Sequence, residues 1–259
     1  MTASAWIRRF QPADDAGVRL ICLPHAGGSA TYYLPVAKAL SPTVDVLALQ
    51  YPGRQDRHNE RCVDSMDELA DLVAAELADW TDRPFAVFGH SLGATLGFEV
   101  TRRLEAAGTP PVMLFASGRR APSRPRDERI HLRADDGLVA ELRTLSGTDA
   151  RILDNDEIVR MFLPALRADY KAVETYRYRP GPPLTCPIFT LVGDDDPKVT
   201  LDEARSWGEH TTGEFEFRAF RGGHFYLDAH AREVIDLISA RLTAAVTAGT
   251  APGPRRVAP

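Results

Sequence analysis

Six short apolar runs recur along this chain, and their lack of alternation restricts the folds open to it more than any other feature. They are Val18–Leu23, Val44–Leu49, Phe85–Phe88, Val112–Ala116, Ile188–Val192 and Phe215–Phe220. Most are continuous rather than polar at every second residue, the pattern of strands covered on both faces. Stretches with helical period lie between them, and strand–helix alternation implies a mostly parallel sheet with right-handed crossovers. Trp6–Phe10 adds a candidate edge strand. Ser65-Met-Asp-Glu68 reads as a capping box, after which Met66, Leu69, Val73, Leu77 and Trp80 form one apolar stripe. Asp67, Asp71 and Asp79 fall off that stripe, on a solvated face. The last helix carries Val234, Ile235, Leu237, Ile238 and Leu242 and is expected to dock on the sheet.

One connection is too long for an ordinary crossover: roughly 70 residues separate the strand ending near Ser117 from the one starting near Pro187. It holds two helical patterns, about Asp136–Leu145 and about Asp156–Tyr176, and reads as a helical lid over a site. The expected division is a core of residues 1–118 and 184–247, a lid insertion of 119–183, and a flexible Gly-, Pro- and Ala-rich tail of 248–259.

With 259 residues the chain is long enough for one large domain. Its net charge of −5 argues against nucleic acid as a partner. No apolar run approaches the ~20 residues of a membrane helix, and the N-terminal stretch lacks the apolar core of a secretory signal. Cys22, Cys62 and Cys186 are odd in number and widely spaced, which suggests unreactive thiols in a reducing, cytoplasmic compartment.

The chemistry is concentrated in Phe85-Ala-Val-Phe-Gly-His-Ser-Leu-Gly93, a strand that runs directly into a Gly-x-Ser-x-Gly turn and then a helix. A tight strand-to-helix turn lifts a serine hydroxyl clear of the sheet, and glycines two residues to either side let neighbouring backbone approach. Ser91 is therefore the candidate nucleophile, and the segment resembles the elbow of the α/β-hydrolase fold. A serine hydroxyl needs a base within hydrogen-bond reach. In that fold the chain order is serine, acid, histidine, which leaves His210, His224 and His230. His224 follows a strand within Arg221-Gly-Gly-His-Phe225 and is the expected base, with His210 and His230 expected at the surface. The acid should lie among Asp194, Asp195 and Asp196, which share one turn after the preceding strand; periodicity does not choose among them. For the oxyanion, the backbone N–H of Leu92 is the first expected donor, and the loop Leu23-Pro-His-Ala-Gly-Gly-Ser29 should supply the second. His25 is read as shaping that loop rather than as a second base.

Taken together, Pro24-His-Ala-Gly-Gly-Ser-Ala30, Gln50-Tyr-Pro-Gly-Arg-Gln-Asp-Arg57, Gly89-His-Ser-Leu-Gly93, Gly193-Asp-Asp-Asp-Pro197 and Gly222-Gly-His-Phe225 resemble the type II thioesterases. These are the free-standing editing hydrolases of modular polyketide and nonribosomal peptide synthases. The Tyr-Pro-Gly-Arg segment carries most of the specificity. The resemblance implies acyl groups held as thioesters on the phosphopantetheine arm of an acyl or peptidyl carrier protein. It also implies Asp196 as the acid, with Asp194 the fallback, and Ala26 as the second oxyanion donor. No metal or nucleotide cofactor is expected, since no HExxH, P-loop or GxGxxG pattern occurs. A monomer is expected. Because carrier proteins of this kind are acidic, Gly118–Arg129, with five arginines, is a candidate docking surface; its other reading is a solvated loop. The rival functions are a carboxylesterase or lipase acting on oxygen esters, a hydrolase-fold binding protein without catalysis, and a chain-terminating or cyclising domain.

Overall fold

The computed structural model describes residues 4–145 and 154–250. Seven strands form one sheet: β1 (Ile7–Arg8), β2 (Arg19–Leu23), β3 (Asp45–Leu49), β4 (Phe85–His90), β5 (Met113–Ser117), β6 (Ile188–Gly193) and β7 (Phe215–Phe220). The spatial order is β1-β3-β2-β4-β5-β6-β7, with β1 antiparallel to β3 and every other pair parallel. The candidate edge strand at Trp6–Phe10 thus reduces to the two residues of β1.

The helices are α1 (Leu34–Leu40), α2 (Met66–Leu77), α3 (Leu92–Ala106), α4 (Asp135–Leu145), α5 (Asp156–Thr175), α6 (Leu201–Arg205), α7 (Tyr226–Ala229) and α8 (Ala231–Thr250). Successive strand residues face opposite sides of the sheet, and each side has its own apolar core. Ile21, Leu23, Leu47 and Val87 pack with Leu69 and Val73 of α2 and Leu96 and Val100 of α3. Leu20, Cys22, Val46 and Phe88 pack with Ala37 and Leu40 of α1 and Val234, Ile238 and Leu242 of α8. This double coverage explains the unbroken apolar runs. β7 has a neighbour on one side only, and Phe220 is its one buried residue.

Several local expectations need amendment. Ser65 Oγ accepts the Glu68 backbone N–H at 3.5 Å, but the Glu68 carboxylate turns to Arg61, so the capping box is half formed. Asp67 and Asp71, with side chains 45% and 70% exposed, do lie on a solvated face, where Arg103 pairs with them. His210 is buried, 3% exposed, against Phe98, Trp207 and Tyr178, with Nε2 hydrogen-bonded to Ser123 Oγ at 2.9 Å. The last helix runs on to Thr250, taking in three residues assigned to the tail; the rest of that tail, 251–259, lies outside the described residues.

Both helices of the long β5–β6 connection form, as α4 and α5. They share a small apolar cluster of Leu138, Leu142, Val159, Leu163, Leu166 and Tyr170, and Ala26 of the loop after β2 packs against it. The two helices therefore sit over the carboxyl edge of the sheet, where sites of open α/β sheets gather. No helix among the described residues is long and apolar enough to cross a membrane.

Candidate active site

β4 runs into Ser91, whose φ of 55° and ψ of −115° are a conformation that non-glycine residues rarely adopt. The strain is held from both sides. Ser91 N–H donates to the Ser117 carbonyl at 2.8 Å, tying the elbow to the end of β5. Side chains at the flanking glycines are ruled out by the backbone: a Cβ on Gly89 would lie 1.9 Å from the Gly93 carbonyl oxygen, and one on Gly93 2.1 Å from that of Leu23.

His224 arrives on the loop after β7, and Asp196 on the loop after β6. His224 Nδ1 lies 2.8 Å from Asp196 Oδ2 and 3.0 Å from Oδ1, while Nε2 lies 3.0 Å from Ser91 Oγ. A carboxylate only accepts, so Nδ1 carries the proton and Nε2 is left to accept from the Ser91 hydroxyl. Asp196 Oδ1 also accepts the Lys198 N–H at 2.8 Å. The neighbouring carboxylate does something else: Asp194 Oδ1 accepts the Gly222 N–H at 2.9 Å, and Asp195 N–H donates to the Gly222 carbonyl at 3.0 Å. These two bonds shape the histidine loop without touching the imidazole.

Ala26 and Leu92 line the same cavity as Ser91 and His224. Leu92 opens α3, so its N–H has no acceptor within the helix. The loop bearing Ala26 is fixed by residues whose role the sequence did not reveal. Arg54 and Asp169, both buried, pair at 2.8 and 2.9 Å through two parallel bonds. The same Asp169 accepts the Gly27 N–H at 2.8 Å, and Arg54 donates to the Gly28 carbonyl at 3.0 Å. Gln50 accepts the Ala30 N–H at 2.9 Å and donates to the Arg54 carbonyl at 3.2 Å. The Gln-Tyr-Pro-Gly-Arg segment is thus the brace between the Ala26 loop and α5.

Two more histidines lie beside the site, His25 in the cavity wall and His90 packed against the His224 ring. His90, fully buried, is hydrogen-bonded through Nδ1 to Ser117 Oγ at 2.9 Å, and that hydroxyl to Tyr226 OH at 2.7 Å. His25 meets Tyr32 and Phe225 edge-on, in keeping with a loop-shaping role. Loss of hydration, then the proximity of His224 and Arg54, pushes the His25 imidazole down to about 3, and burial pushes His90 well below the ordinary histidine range. Both stay neutral in the folded protein where the unfolded chain, with histidines near 6.5, takes up protons. Their contribution is therefore fully present above about pH 6.5 and is lost as pH falls below it. Each is expected to add a slope of up to about 1.4 kcal/mol per pH unit in that acid window. Denaturant midpoints between about pH 7.5 and 5 measure it, and His25→Phe should make the decline shallower. A decline of unchanged steepness in that variant would remove His25 from the account.

The cavity over Ser91 has a volume of about 410 Å³. Ser29, Gln55 and His58 give it a polar flank; Leu142, Phe162 and Leu166 of α4 and α5 give it an apolar one. Ile158 and Met161, exposed by 41% and 67%, stand at its rim. The arginine-rich segment does not present the free basic surface expected of it. Arg119 and Arg120 are buried, at 9% and 5% exposure. Arg120, Arg124, Arg126 and Arg129 are each neutralised, by Glu128, Glu209, Glu203 and Asp127. Carboxylates from elsewhere in the chain and from the loop itself absorb the charge.

A serine elbow after a central parallel strand, met by a carboxylate and then a histidine from later loops, is the arrangement of the α/β-hydrolases. Within that class the assignment is narrower: the model of the thioesterase domain family matches residues 18–242, and the chain belongs to that family. It is 52% identical over 256 residues to Thioesterase PikA5 of Streptomyces venezuelae, covering 98% of this chain and 90% of that one. It is also 52% identical over 229 residues to a probable cadicidin biosynthesis thioesterase of Streptomyces griseus, covering 88% of this chain but only 63% of that relative's length. Among solved structures, the type II thioesterase BorB from the borrelidin biosynthetic cluster superposes with a TM-score of 0.89 at 54% identity, covering 93% of this chain and 99% of that one.

Proposed function

We propose that the chain is a serine thioesterase that releases acyl groups from the phosphopantetheine arm of acyl or peptidyl carrier proteins. On this reading it clears aberrant acyl units in polyketide or nonribosomal peptide synthesis. The observation that carries the reading is the unbroken hydrogen-bonded line Asp196–His224–Ser91 at the wall of a cavity large enough for an acyl chain. Family membership supplies the thioester.

The proposed cycle uses only these groups. Ser91 Oγ attacks the thioester carbonyl carbon as its proton passes to His224 Nε2, and Asp196 stabilises the imidazolium. The N–H groups of Leu92 and Ala26 are the proposed donors to the oxyanion. Collapse breaks the C–S bond, and the thiolate takes up the imidazolium proton. A thiol of pKa about 8.5 leaves far more readily than an alkoxide, so little proton transfer is needed to expel it. Water, deprotonated by His224, then attacks the acyl-serine and frees the acid and Ser91. In this scheme α4 and α5 act as the lid, screening the acyl-serine from bulk water.

Matched acyl thioesters and oxygen esters, turned over side by side, test the reading, together with fluorophosphonate labelling of Ser91. Faster hydrolysis of the thioester and labelling confined to Ser91 are expected. Preference for the oxygen ester would make the protein an esterase; absence of labelling would make it a binding protein.

A further inference from the structure

Ser117, the last residue of β5, touches both sides of the reaction at once. Its carbonyl accepts the Ser91 N–H at 2.8 Å, and its hydroxyl lies 2.7 Å from the OH of Tyr226, two residues beyond His224. The same hydroxyl lies 2.9 Å from Nδ1 of His90, the neighbour of Ser91 in the chain. His90, Ser117 and Tyr226 are all buried, so each has given up its hydration to join this series.

Packing alone does not require it. Tyr226 stacks on Phe220, with ring centroids 5.1 Å apart, and belongs to an apolar core that includes Phe88 and Leu227. A phenylalanine would fill that place with no hydroxyl to bury. Burial of a polar group is costly unless it is bonded, and buried groups bonded in series fix one arrangement of the elements that carry them. The surroundings are cleared for the series as well. Gly118 has a φ of 59°, and a Cβ there would lie 2.4 Å from the His90 ring. His90 Nε2 is buried without a partner, so the bond to Ser117 is the one that orients this ring.

The effect of the arrangement falls on His224. Asp194 and Asp195 hold the start of its loop through Gly222, and Tyr226 holds the end. The His90 ring lies beside the catalytic imidazole, with centroids 5.0 Å apart. Burial keeps His90 neutral, so it does not oppose the imidazolium that the proposed cycle forms on His224.

We propose that Tyr226 is a positioning residue of the reaction: through Ser117 and His90 it sets where the His224 imidazole stands relative to Ser91 Oγ. The proposal rests on the triad of the thioesterase reading, and not on the identity of the bond cleaved.

Tyr226→Phe keeps the stacked ring and removes the link. A misplacement of about 1 Å can cost about 100-fold, so kcat for an acyl thioester should fall by about 10- to 100-fold while KM stays within about twofold. The rate at which a fluorophosphonate labels Ser91 should fall in step, since that reaction needs the same base. Ser117→Ala should slow both reactions too, and it should also lower Tm, because the Tyr226 hydroxyl and His90 Nδ1 lose their shared partner. Adding Tyr226→Phe to Ser117→Ala removes one of those orphaned groups, so Tm should recover in part. Activity should not: groups that act as a unit are lost only once, and kcat of the double variant should stay within about threefold of Ser117→Ala.

A kcat for Tyr226→Phe within about threefold of the wild type would overturn the proposal, since a positioning role predicts a larger loss. Losses that multiply in the double variant, or a kcat that returns as Tm does, would overturn it too by reducing these side chains to packing. Labelling tells the two readings apart. A wild type that is not labelled refutes the triad, and the positioning role with it; a wild type and a Tyr226→Phe variant labelled equally fast refute the positioning role alone.

Discussion

Asp196→Asn is expected to lower kcat by about 10⁴-fold and Ser91→Ala by about 10⁶-fold, while Asp194→Asn keeps kcat within about tenfold of wild type. The two aspartates stand two residues apart on one turn, yet their hydrogen bonds assign them different work. Asp196 receives the Nδ1 proton of His224 at 2.8 Å, which leaves Nε2 free to take the serine proton. An asparagine there can offer its NH₂ to Nδ1, which favours the opposite tautomer, with the proton on Nε2 and no base facing Ser91. Asp194 instead accepts a backbone N–H from Gly222, and the amide oxygen of an asparagine can do the same. Steady-state hydrolysis of one thioester by the three variants decides the matter, with circular dichroism to show that each is folded. Equal losses at positions 194 and 196 would mean that the loop's shape, and not one carboxylate, sets the rate.

How much of this was legible depended on how local each signal was. The strands could be placed because double coverage imposes unbroken apolar runs, as in β2, where Ile21 and Cys22 serve opposite cores. Ser91 could be placed because its turn writes two glycines into the sequence, each demanded by backbone within bonding range of an absent Cβ. The choice of Asp196 needed the family resemblance, since three adjacent carboxylates look alike until the loop folds. The failures share a cause. Arg119 and Arg120 lie in a segment rich in charge and proline that reads as solvated, but both are buried in the fold, where Trp207, far along the chain, donates to the Arg119 carbonyl. His210 occupies a short 3₁₀ turn whose burial is decided by Phe98 and Tyr178. The brace of Arg54 and Asp169 joins residues 115 positions apart, and only the folded chain shows that it holds Gly27 and Gly28.

That brace is the basis of the second large effect. Arg54→Met leaves Asp169, which has no solvent exposure, as a buried charge retaining only the Gly27 N–H. Breaking a buried pair from one side costs about 3–5 kcal/mol, and for a chain of this size about 2–4 °C of Tm accompanies each kcal/mol. A fall in Tm of roughly 6–20 °C is therefore expected. The double variant Arg54→Met/Asp169→Leu removes the orphaned charge, and replacement of a whole buried pair by apolar side chains of similar volume should restore most of that stability. Activity should not return with it. Without the pair, the Gly27 N–H and the Gly28 carbonyl lose their anchors, and the loop that offers the Ala26 N–H is free to shift. Loss of one oxyanion donor costs about 10²–10³-fold in kcat, so the double variant should melt near the wild type yet turn over about 100-fold more slowly. Thermal melts and kcat measured on the same preparations separate the two effects. Recovery of both together would show that the pair serves stability alone, and the brace would have no part in shaping the oxyanion site.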